Sequence, residues 1–423
     1  MISLKEKLRQ FDTPRLVTRQ SQRPPLAEQL STIGAEWVEN VYGCYILREK
    51  LYPASFVYGS RHLGDFFRLT PQSFMQAGGD ARYGATYPEN VILFDAETTG
   101  LAGGSGTCAF LFGIGFIRSK HFIVRQYFMP DFNSEKAMLY DLIREFTNKS
   151  CLVSYNGKRF DLPLLQSRLV MNRFSPFSAS PLHIDLLYPV RRLWKQQLPS
   201  CSLQQVEKSI LGIERLGDIP GCEIPGIYFQ FLTGGEFDRI PAIFKHNVQD
   251  ILSMAAILVE IHRVFVGEQS AVVPDSYWLF RILCDIGREE DALTNIESRA
   301  AHPSENAVRF QLQRADVLKK MERYEEAAAI WTSLLALPQV VEAAFEELAK
   351  LYEHVFKNYH QALAIVERFE KRLQVRHALR DEVHGPALSA SWRKRRKRLA
   401  SRLNEPQFSS TNYCLNPKVK EIV

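Results

Sequence analysis

The strongest hydrophobic pattern in the chain begins at residue 91. Residues 91–94 (VILF) form a continuous apolar run that is typical of a buried strand, and further apolar runs follow at 108–117 and 121–129. These three runs predict a meander of strands. Residues 134–146 then carry apolar side chains at helical spacing, and the run at 151–155 predicts the next strand.

The segment that follows continues the alternation of helices and strands. A helix is expected to begin near Asp161, because Pro163 then falls within its first turn. Residues 183–187 predict a fifth strand, and residues 202–262 are predicted to be mainly helical. The resulting order, β-β-β-α-β-α-β-α, is that of an α/β domain in which helices cover a mixed sheet.

Beyond residue 270 the pattern is helical and repetitive. Ala292, Ala327 and Ala362 lie 35 residues apart in similar stretches of sequence, and this period is close to the ~34 residues of tetratricopeptide repeats. The pattern predicts stacked helix pairs over 270–380, with an irregular helical bundle as the alternative. Such repeats more often bind a protein partner than a nucleic acid.

The two ends of the chain differ from its middle. Residues 1–89 are predicted to form an N-terminal arm and accessory segment, in which aromatic and β-branched residues at 35–70 indicate short strands packed on a larger body. Residues 381–423 are predicted to form a basic tail. The remaining residues divide into an α/β domain at 90–265 and the helical repeats at 270–380.

The composition is that of a globular protein. The chain has 423 residues, of which 46% are apolar and 24% charged, and these values exclude a disordered or fibrous chain. It contains 53 basic and 47 acidic residues, and the run 393–398 (RKRRKR) holds the whole excess of six. The charge therefore indicates no general polyanion binder. The basic run is either an auxiliary nucleic-acid contact or a solvated tail.

Cysteine usage and hydropathy favour a reduced, cytoplasmic protein. The seven cysteines form no Cys-x-x-Cys pair, so neither a disulfide framework nor a zinc knuckle is predicted. The first residues lack the apolar stretch of a signal peptide, and no run approaches the ~18 apolar residues of a membrane span. We therefore expect a cytoplasmic protein with no membrane partner.

Candidate chemistry begins with two acids at the end of the first apolar run. Asp95 and Glu97 alternate along a strand, so both side chains lie on one face of the sheet. Two carboxylates beside an apolar strand repel each other unless a cation lies between them. The pair therefore favours a divalent metal. The alternative is a strand that has ended, with both acids solvated.

Two further segments supply acids in settings that allow convergence. Asp161 follows an Asn-Gly turn at Asn156 and stands at the start of a predicted helix, where an aspartate is also a good helix cap. His246 and Asp250 lie four residues apart, so they share one face of a helix. The alternative for this second pair is an exposed ionic contact.

Taken in order, these residues resemble the DEDD exonucleases of the ribonuclease H-like fold. Their three motifs are Asp-x-Glu, an Asn shortly before an Asp, and a His or Tyr shortly before a final Asp. More closely, the chain resembles the YprB-like proteins of Gram-positive bacteria, in which such a domain precedes tetratricopeptide-type repeats. The resemblance implies a ribonuclease H-like mixed sheet flanked by helices, followed by an all-α repeat domain.

The third motif departs from the family pattern. In the histidine branch four residues separate the general base from the last aspartate, whereas the tyrosine branch has three. His246 stands at the tyrosine spacing from Asp250. A histidine one helical turn before this aspartate still projects towards the same site, and its ordinary pKa of ~6.5 suits proton transfer near neutrality.

The resemblance implies a 3′–5′ exonuclease that hydrolyses DNA or RNA with two Mg²⁺ or Mn²⁺ ions. We expect Asp95 to bridge both ions, Glu97 and Asp250 to hold the ion on the nucleophile side, and Asp161 to act on the other ion. His246 is expected to orient or deprotonate the attacking water. The catalytic and metal-binding sets thus share these four acids.

The substrate is expected to be a single-stranded nucleic-acid end. Asn156, Lys158 and Arg159 are predicted to bind it, with surface solvation as the alternative for the two cations. The glycine-rich stretch 100–107 is either a close approach to the substrate or an ordinary hairpin loop. Two other functions stay open: a weakly active or inactive nucleic-acid-binding scaffold whose repeats recruit a protein partner, and an endonuclease on the same fold.

Overall fold

The computed structural model describes residues 26–100, 106–147, 149–175, 182–234, 237–297, 307–378 and 388–404. The chain divides into two compact units, residues 1–299 and residues 300–423. The predicted arm at 1–25, most of the glycine-rich stretch and the last part of the basic tail lie outside the described residues. The division into 1–89, 90–265, 270–380 and 381–423 stays a prediction.

The strands belong to the first unit. They are β1 (Ala35–Asn40), β2 (Gly43–Pro53), β3 (Val57–Tyr58), β4 (Arg61–His62), β5 (Val91–Thr98), β6 (Ala109–Arg118), β7 (His121–Phe128), β8 (Cys151–Ser154) and β9 (Leu182–Asp185).

The α-helices of the first unit are α1 (Leu26–Thr32), α2 (Leu63–Phe66), α3 (Pro71–Gly78), α4 (Glu135–Phe146), α5 (Asp161–Met171), α6 (Leu187–Trp194), α7 (Leu203–Val206), α8 (Ile224–Leu232), α9 (Ile240–Phe265), α10 (Ser276–Asp285) and α11 (Glu289–Glu297). Short 3-10 turns lie at Ala81–Ala85, Pro88–Asn90, Phe132–Ser134, Gly221–Glu223 and Phe237–Arg239, and a π-turn lies at Glu207–Leu211. The second unit contains α12 (Ala307–Lys320), α13 (Tyr324–Leu335), α14 (Glu342–His354), α15 (Tyr359–Ala378) and α16 (Ala390–Leu403).

Seven of these strands form one mixed sheet in the order β1-β2-β7-β6-β5-β8-β9. Neighbouring strands pair antiparallel from β1 through β2, β7 and β6 to β5. Strand β8 pairs parallel with both β5 and β9. The predicted ribonuclease H-like class, a mixed sheet flanked by helices, is confirmed. The short strands expected at 35–70 include β1 and β2, which extend this same sheet.

The core lies between the sheet and helices that cover it. Phe94 and Phe112 stack with ring centroids 5.7 Å apart, and Phe110 stacks on Tyr228 of α8 at 3.9 Å. All four rings are buried, and burying one such side chain contributes roughly 1.5–3 kcal/mol. Aromatic side chains at alternate positions of β6 therefore pack the central strands against α8.

The second unit and the last two helices of the first unit contain the region of the predicted repeats. Ala292, Ala327 and Ala362 are all fully buried in α11, α13 and α15. Trp331 and Val366, each four residues beyond one of these alanines, are fully buried as well. Small buried residues at a constant period agree with paired helices, and assignment to the tetratricopeptide class stays a prediction.

The basic run 393–398 lies in helix α16, where the sequence predicted a tail. Trp392 and Leu399 are buried on one side of this helix, and Arg398 donates to the buried Glu353 at 2.7 and 2.9 Å. Arg396 pairs with Glu370 at 2.7 Å. Trp392 and Leu399 are the two buried side chains of this helix. Six basic residues lie between them, so the sequence shows a charged run rather than an amphipathic helix.

Within the described ranges, no helix has the length and apolar character that crossing a membrane requires.

Candidate functional site

Asp95 and Glu97 lie inside a paired strand rather than beyond its end. Strand β5 continues to Thr98, with Asp95 opposite Gly113 and Glu97 opposite Leu111 of β6. The register shifts between Glu97 and Thr98, which marks a local irregularity of the kind found next to active sites. Both carboxyl groups therefore stand on one face of a fixed strand.

A glycine in the neighbouring strand allows a helix to reach Asp95. A Cβ atom on Gly113 would lie 2.0 Å from Oδ1 of Asn247 in α9. The Nδ2 atom of Asn247 donates to Oδ2 of Asp95 at 2.8 Å, and its Oδ1 accepts from Nε2 of Gln126 at 2.9 Å. The close approach of α9 thus fixes the orientation of the Asp95 carboxylate.

Asp161 begins α5 directly after a tightly held loop. The buried Asp185 at the end of β9 accepts hydrogen bonds from the backbone N–H groups of Asn156 at 2.7 Å and Lys158 at 3.1 Å. Asn156 has a φ of +65°, a left-handed conformation that asparagine tolerates better than most residues. A Cβ on Gly157 would lie 2.9 Å from Oδ2 of Asp161, so this loop packs closely against that carboxylate.

His246 and Asp250 extend from α9 towards Glu97. Nε2 of His246 lies 3.5 Å from Oδ2 of Asp250, and one ligand atom from each of Glu97, His246 and Asp250 lies within 4.8 Å of the others. His246 is only 8% exposed, so the alternative of an exposed ionic pair is excluded. The structure brings both residues of this motif to the Asp-x-Glu strand.

Residues of the loop 212–219 support this pair. Nδ1 of His246 lies 2.9 Å from both carboxylate oxygens of Asp218. Arg215 pairs with Asp218 at 3.1 Å and donates to Oδ1 of Asp250. It also donates two hydrogen bonds, at 2.5 and 2.7 Å, to the buried Glu207. One loop therefore fixes both His246 and Asp250.

The four acids repel one another strongly. Burial and the charges of Asp250, Glu97 and Asp161 raise the pKa of Asp95 well above its ordinary value. Burial and the charge of Asp250 likewise raise the pKa of Glu97 to about 8. Burial, together with the charges of Asp185 and Asp250, raises the pKa of Asp161 to about 7. Asp95, Glu97, Asp161 and Asp250 thus form one electrostatically coupled group, hereafter the acidic cluster.

His246 and Asp218, beside the acidic cluster, have pKa values that are shifted in favour of their charged forms. Burial alone would lower the pKa of His246, but the hydrogen bond to Asp218 and the charges of Asp250 and Glu97 raise it above its ordinary value. Burial alone would raise the pKa of Asp218, and its contacts with His246 and Arg215 hold it below the ordinary value instead. The environment therefore favours a cation beside the carboxylates.

The pKa shifts predict a pH-dependent stabilisation by metal. Carboxyl groups whose pKa is raised in the folded state bind more protons than in the unfolded chain, so the metal-free protein should lose stability as pH rises from about 4 through 8. A divalent ion binds the deprotonated carboxylates without this competition at high pH. We expect Mn²⁺ to raise the melting temperature more at pH 8.5 than at pH 6. Equal increments at both pH values would contradict this coupling.

The predicted substrate-binding residues lie beside the cluster. Lys158 and Arg159 are exposed, and Nζ of Lys158 lies 5.9 Å from the ring centroid of Tyr188. Asn156 is half-buried, and its backbone amide is engaged by Asp185. Phe160 follows with 54% of its surface exposed. Substrate binding by these residues stays a prediction.

The donor set of the acidic cluster is suited to a divalent metal ion. It offers carboxylate oxygens, which hard cations such as Mg²⁺ and Mn²⁺ prefer, and His246 beside Glu97 and Asp250 adds one imidazole nitrogen. Burial and the charges of Asp250, Glu97 and Asp161 raise the pKa of Asp95, whereas the hydrogen bond from Asn247 lowers it. A bound cation would remove this repulsion.

Comparison with known proteins identifies the relatives of this chain. Residues 92–262 match the model of the ribonuclease H superfamily family RNase_H_2. Protein YprB of Bacillus subtilis (strain 168) is 32% identical over 332 residues, which cover 76% of this chain and 79% of that protein. The chain belongs to the YprB family. Within this YprB-family chain, the ribonuclease H match spans β5 to α9 and includes the whole acidic cluster.

Other similarities are more limited. DNA polymerase 1 of Aeropyrum pernix is 33% identical over 99 residues, which are 19% of this YprB-family chain and 10% of the polymerase. A product-bound exonuclease I structure is 13% identical and covers 74% of this chain and 99% of its own. A zinc-bound complex of E. coli exonuclease I with single-stranded DNA is 14% identical and covers 74% of this chain and 98% of its own. Both TM-scores are 0.25, too low to support a correspondence of sites.

Several residues around the site were not identified from the sequence. Asp218 and Arg215 lie in a short polar loop, and Asn247 lies within the apolar pattern of α9. Their contacts join positions 28, 35 and 152 residues apart, which no local pattern reports. A usable signal was present in β6, where Gly113 interrupts a strand pattern, because such glycines often mark a close backbone approach.

Proposed function

We propose that this YprB-family protein is a metal-dependent 3′–5′ exonuclease that hydrolyses phosphodiester bonds of DNA or RNA by a two-metal-ion mechanism. The observation that carries the proposal is the acidic cluster, in which burial and the charge of Asp250 raise the pKa of Asp95, Glu97 and Asp161, carboxyl groups from two other segments. Such a cluster costs free energy without a cation. The ribonuclease H match over the same residues supports the proposal.

Asp95, Glu97, Asp161 and Asp250 would hold the two ions. When bound, the ions supply an activated water and stabilise the departing oxygen. The protein itself contributes orientation: Asn247 fixes Asp95, the loop before α5 packs closely against Asp161, and Arg215 fixes Asp250. His246 presents Nε2 to the same point, where the sequence predicts that it orients or deprotonates the attacking water.

The exposed residues before α5 suit an extended nucleic-acid strand. Lys158 and Arg159 provide positive charge beside Asp161, and phosphate oxygens are the groups that such cations bind. The exposed ring of Phe160 offers a surface on which a base can stack. We propose that the end of a single strand binds across this loop, with its terminal phosphodiester at the acidic cluster.

One observation favours a second function. Arg215 already donates to Oδ1 of Asp250 and neutralises part of the acidic cluster. A scaffold that binds nucleic acid with little or no turnover requires such an internal cation more than an enzyme does. In that case the helical repeats would recruit the protein partner.

Hydrolysis of end-labelled strands separates these functions. Purified protein is incubated with 3′-labelled and 5′-labelled single strands of DNA and RNA, in Mn²⁺ or in EDTA. The exonuclease releases labelled mononucleotides early from the 3′ label and gives a shortening ladder from the 5′ label, in Mn²⁺ only. Internal fragments from the start would indicate an endonuclease, and retention of intact strands would indicate the scaffold.

A further inference from the structure

The imidazole of His246 has one nitrogen committed and one directed into the acidic cluster. A carboxylate only accepts hydrogen bonds, so the contacts of 2.9 Å to Asp218 require that Nδ1 of His246 carries the hydrogen. In the neutral ring this leaves a lone pair on Nε2. That atom lies 3.5 Å from Oδ2 of Asp250 and near Glu97.

We propose that His246 is a metal ligand, which forms with Glu97 and Asp250 a site for a divalent transition ion such as Mn²⁺. The assignment rests on the proposed metal-dependent function and deepens it, since it replaces the role of general base with that of ligand. Carboxylates alone favour Mg²⁺, whereas an imidazole shifts the preference towards Mn²⁺ and its neighbours in the first transition row.

The arrangement of Asp218 carries this assignment. Histidines that bind metals almost always donate their other ring N–H to a carboxylate, a carbonyl or water, which fixes the ring and raises the basicity of the ligating nitrogen. The Asp218 side chain that makes this contact is 8% exposed, and Arg215 holds it at 3.1 Å. Asp218 is thus a positioning residue, because it contacts the ligand rather than the ion.

The spacing in α9 agrees with a ligand. Residues four apart on a helix project side by side, so His246 and Asp250 reach one point together, with ligand atoms of the pair and of Glu97 within 4.8 Å of one another. The spacing of the histidine branch, with four residues between the two, would separate the directions of the two side chains. The shorter spacing therefore places the nitrogen among the oxygens that hold the ion.

Spectroscopy of bound Mn²⁺ tests the proposal directly. Full-length protein carrying ¹⁵N-histidine is loaded with Mn²⁺ at pH 8, and electron spin echo envelope modulation records nitrogen nuclei coordinated to the ion. We expect a ¹⁵N coupling in the wild type and its loss in His246→Ala. Bound Mn²⁺ without this coupling in the wild type, or a coupling that persists in His246→Ala, would overturn the proposal.

A binding measurement keeps the test decisive if His246→Ala folds poorly. The electron paramagnetic resonance signal of free Mn²⁺ gives its dissociation constant in each variant. Removing the carboxylate partner of a ligating histidine typically weakens metal binding by about 10- to 100-fold, and we expect a loss of this size in Asp218→Asn. The matched control is Asp238→Asn, an exposed aspartate just before α9, which should bind like the wild type. Equal affinities in all three proteins would overturn the role of Asp218.

Failure of this proposal and failure of the proposed function give different results. A protein that hydrolyses labelled strands but shows no ¹⁵N coupling retains the exonuclease function and loses the histidine ligand. A protein that shows the coupling and hydrolyses no strand retains the ligand and loses the function.

Discussion

Asp95→Asn is expected to abolish hydrolysis and, at the same time, to stabilise the metal-free protein. The carboxylate of Asp95 experiences the charges of Asp250, Glu97 and Asp161, so it is the central member of the acidic cluster. Metal ions contribute several kcal/mol of charge stabilisation in the transition state, and losing this amount lowers the rate by about 10³-fold or more.

The same substitution removes one of four repelling charges. Asparagine has the shape of aspartate and can still accept a hydrogen bond from Asn247, so the fold around β5 should persist. The gain in melting temperature without metal should be larger at pH 8 than at pH 5, because the raised pKa values of Asp95, Glu97 and Asp161 keep these three groups protonated at pH 5. Thermal unfolding at the two pH values measures this difference.

An exposed carboxylate in the same sheet provides the control. Glu36→Gln in β1 changes the formal charge by the same amount far from the acidic cluster, and it should leave both hydrolysis and the melting temperature unchanged. Hydrolysis of labelled strands at the wild-type rate by Asp95→Asn would show that the activity comes from a contaminant or from other residues.

Arg215→Gln is expected to destabilise the protein by about 3–5 kcal/mol, the usual range when one partner of a buried ionic group is removed. The Arg215 side chain is 5% exposed and its partner Glu207 is 1% exposed. Asp218 and Asp250 would also lose their shared cation. The substitution therefore leaves several carboxylates in a low-polarity environment with too little compensation.

Urea unfolding of matched variants measures this effect. Lys208→Gln, in the π-turn that follows α7, removes a pair with Glu214 whose side chains are 66% and 72% exposed. Its free energy of unfolding should change by less than about 0.5 kcal/mol. The double variant Arg215→Gln, Glu207→Gln should recover part of the loss, because the unpaired carboxylate is then removed. A stability of Arg215→Gln equal to that of Lys208→Gln would contradict the account.

Local patterns were sufficient for the elements that carry the acids. The apolar run at 91–94 predicted β5, and alternation placed Asp95 and Glu97 on one face, as the paired strand shows. The long helix with His246 and Asp250 was also expected within 202–262. These features depend on neighbours within a few residues, which periodicity reports well.

Tertiary contacts were not predictable in the same way. The role of Arg215 depends on Glu207, Asp218 and Asp250 meeting at one point, and a single sequence contains no record of that meeting. The helix at α16 was not predicted for a related reason. Its buried contacts, Trp392 and Leu399, are separated by a run of six basic residues, whose charge dominates any local measure of amphipathicity.

The position of the hairpin β1–β2 has a practical consequence for shortened forms of this protein. Strand β2 pairs with the whole length of β7, from Pro53 opposite His121 to Ile46 opposite Phe128. A fragment limited to 92–262 would lack β2. The backbone amide and carbonyl groups of β7 that face β2 would then be unpaired and exposed. Such unpaired strands pair with other chains and promote aggregation, so a fragment that resists aggregation needs to start before β1.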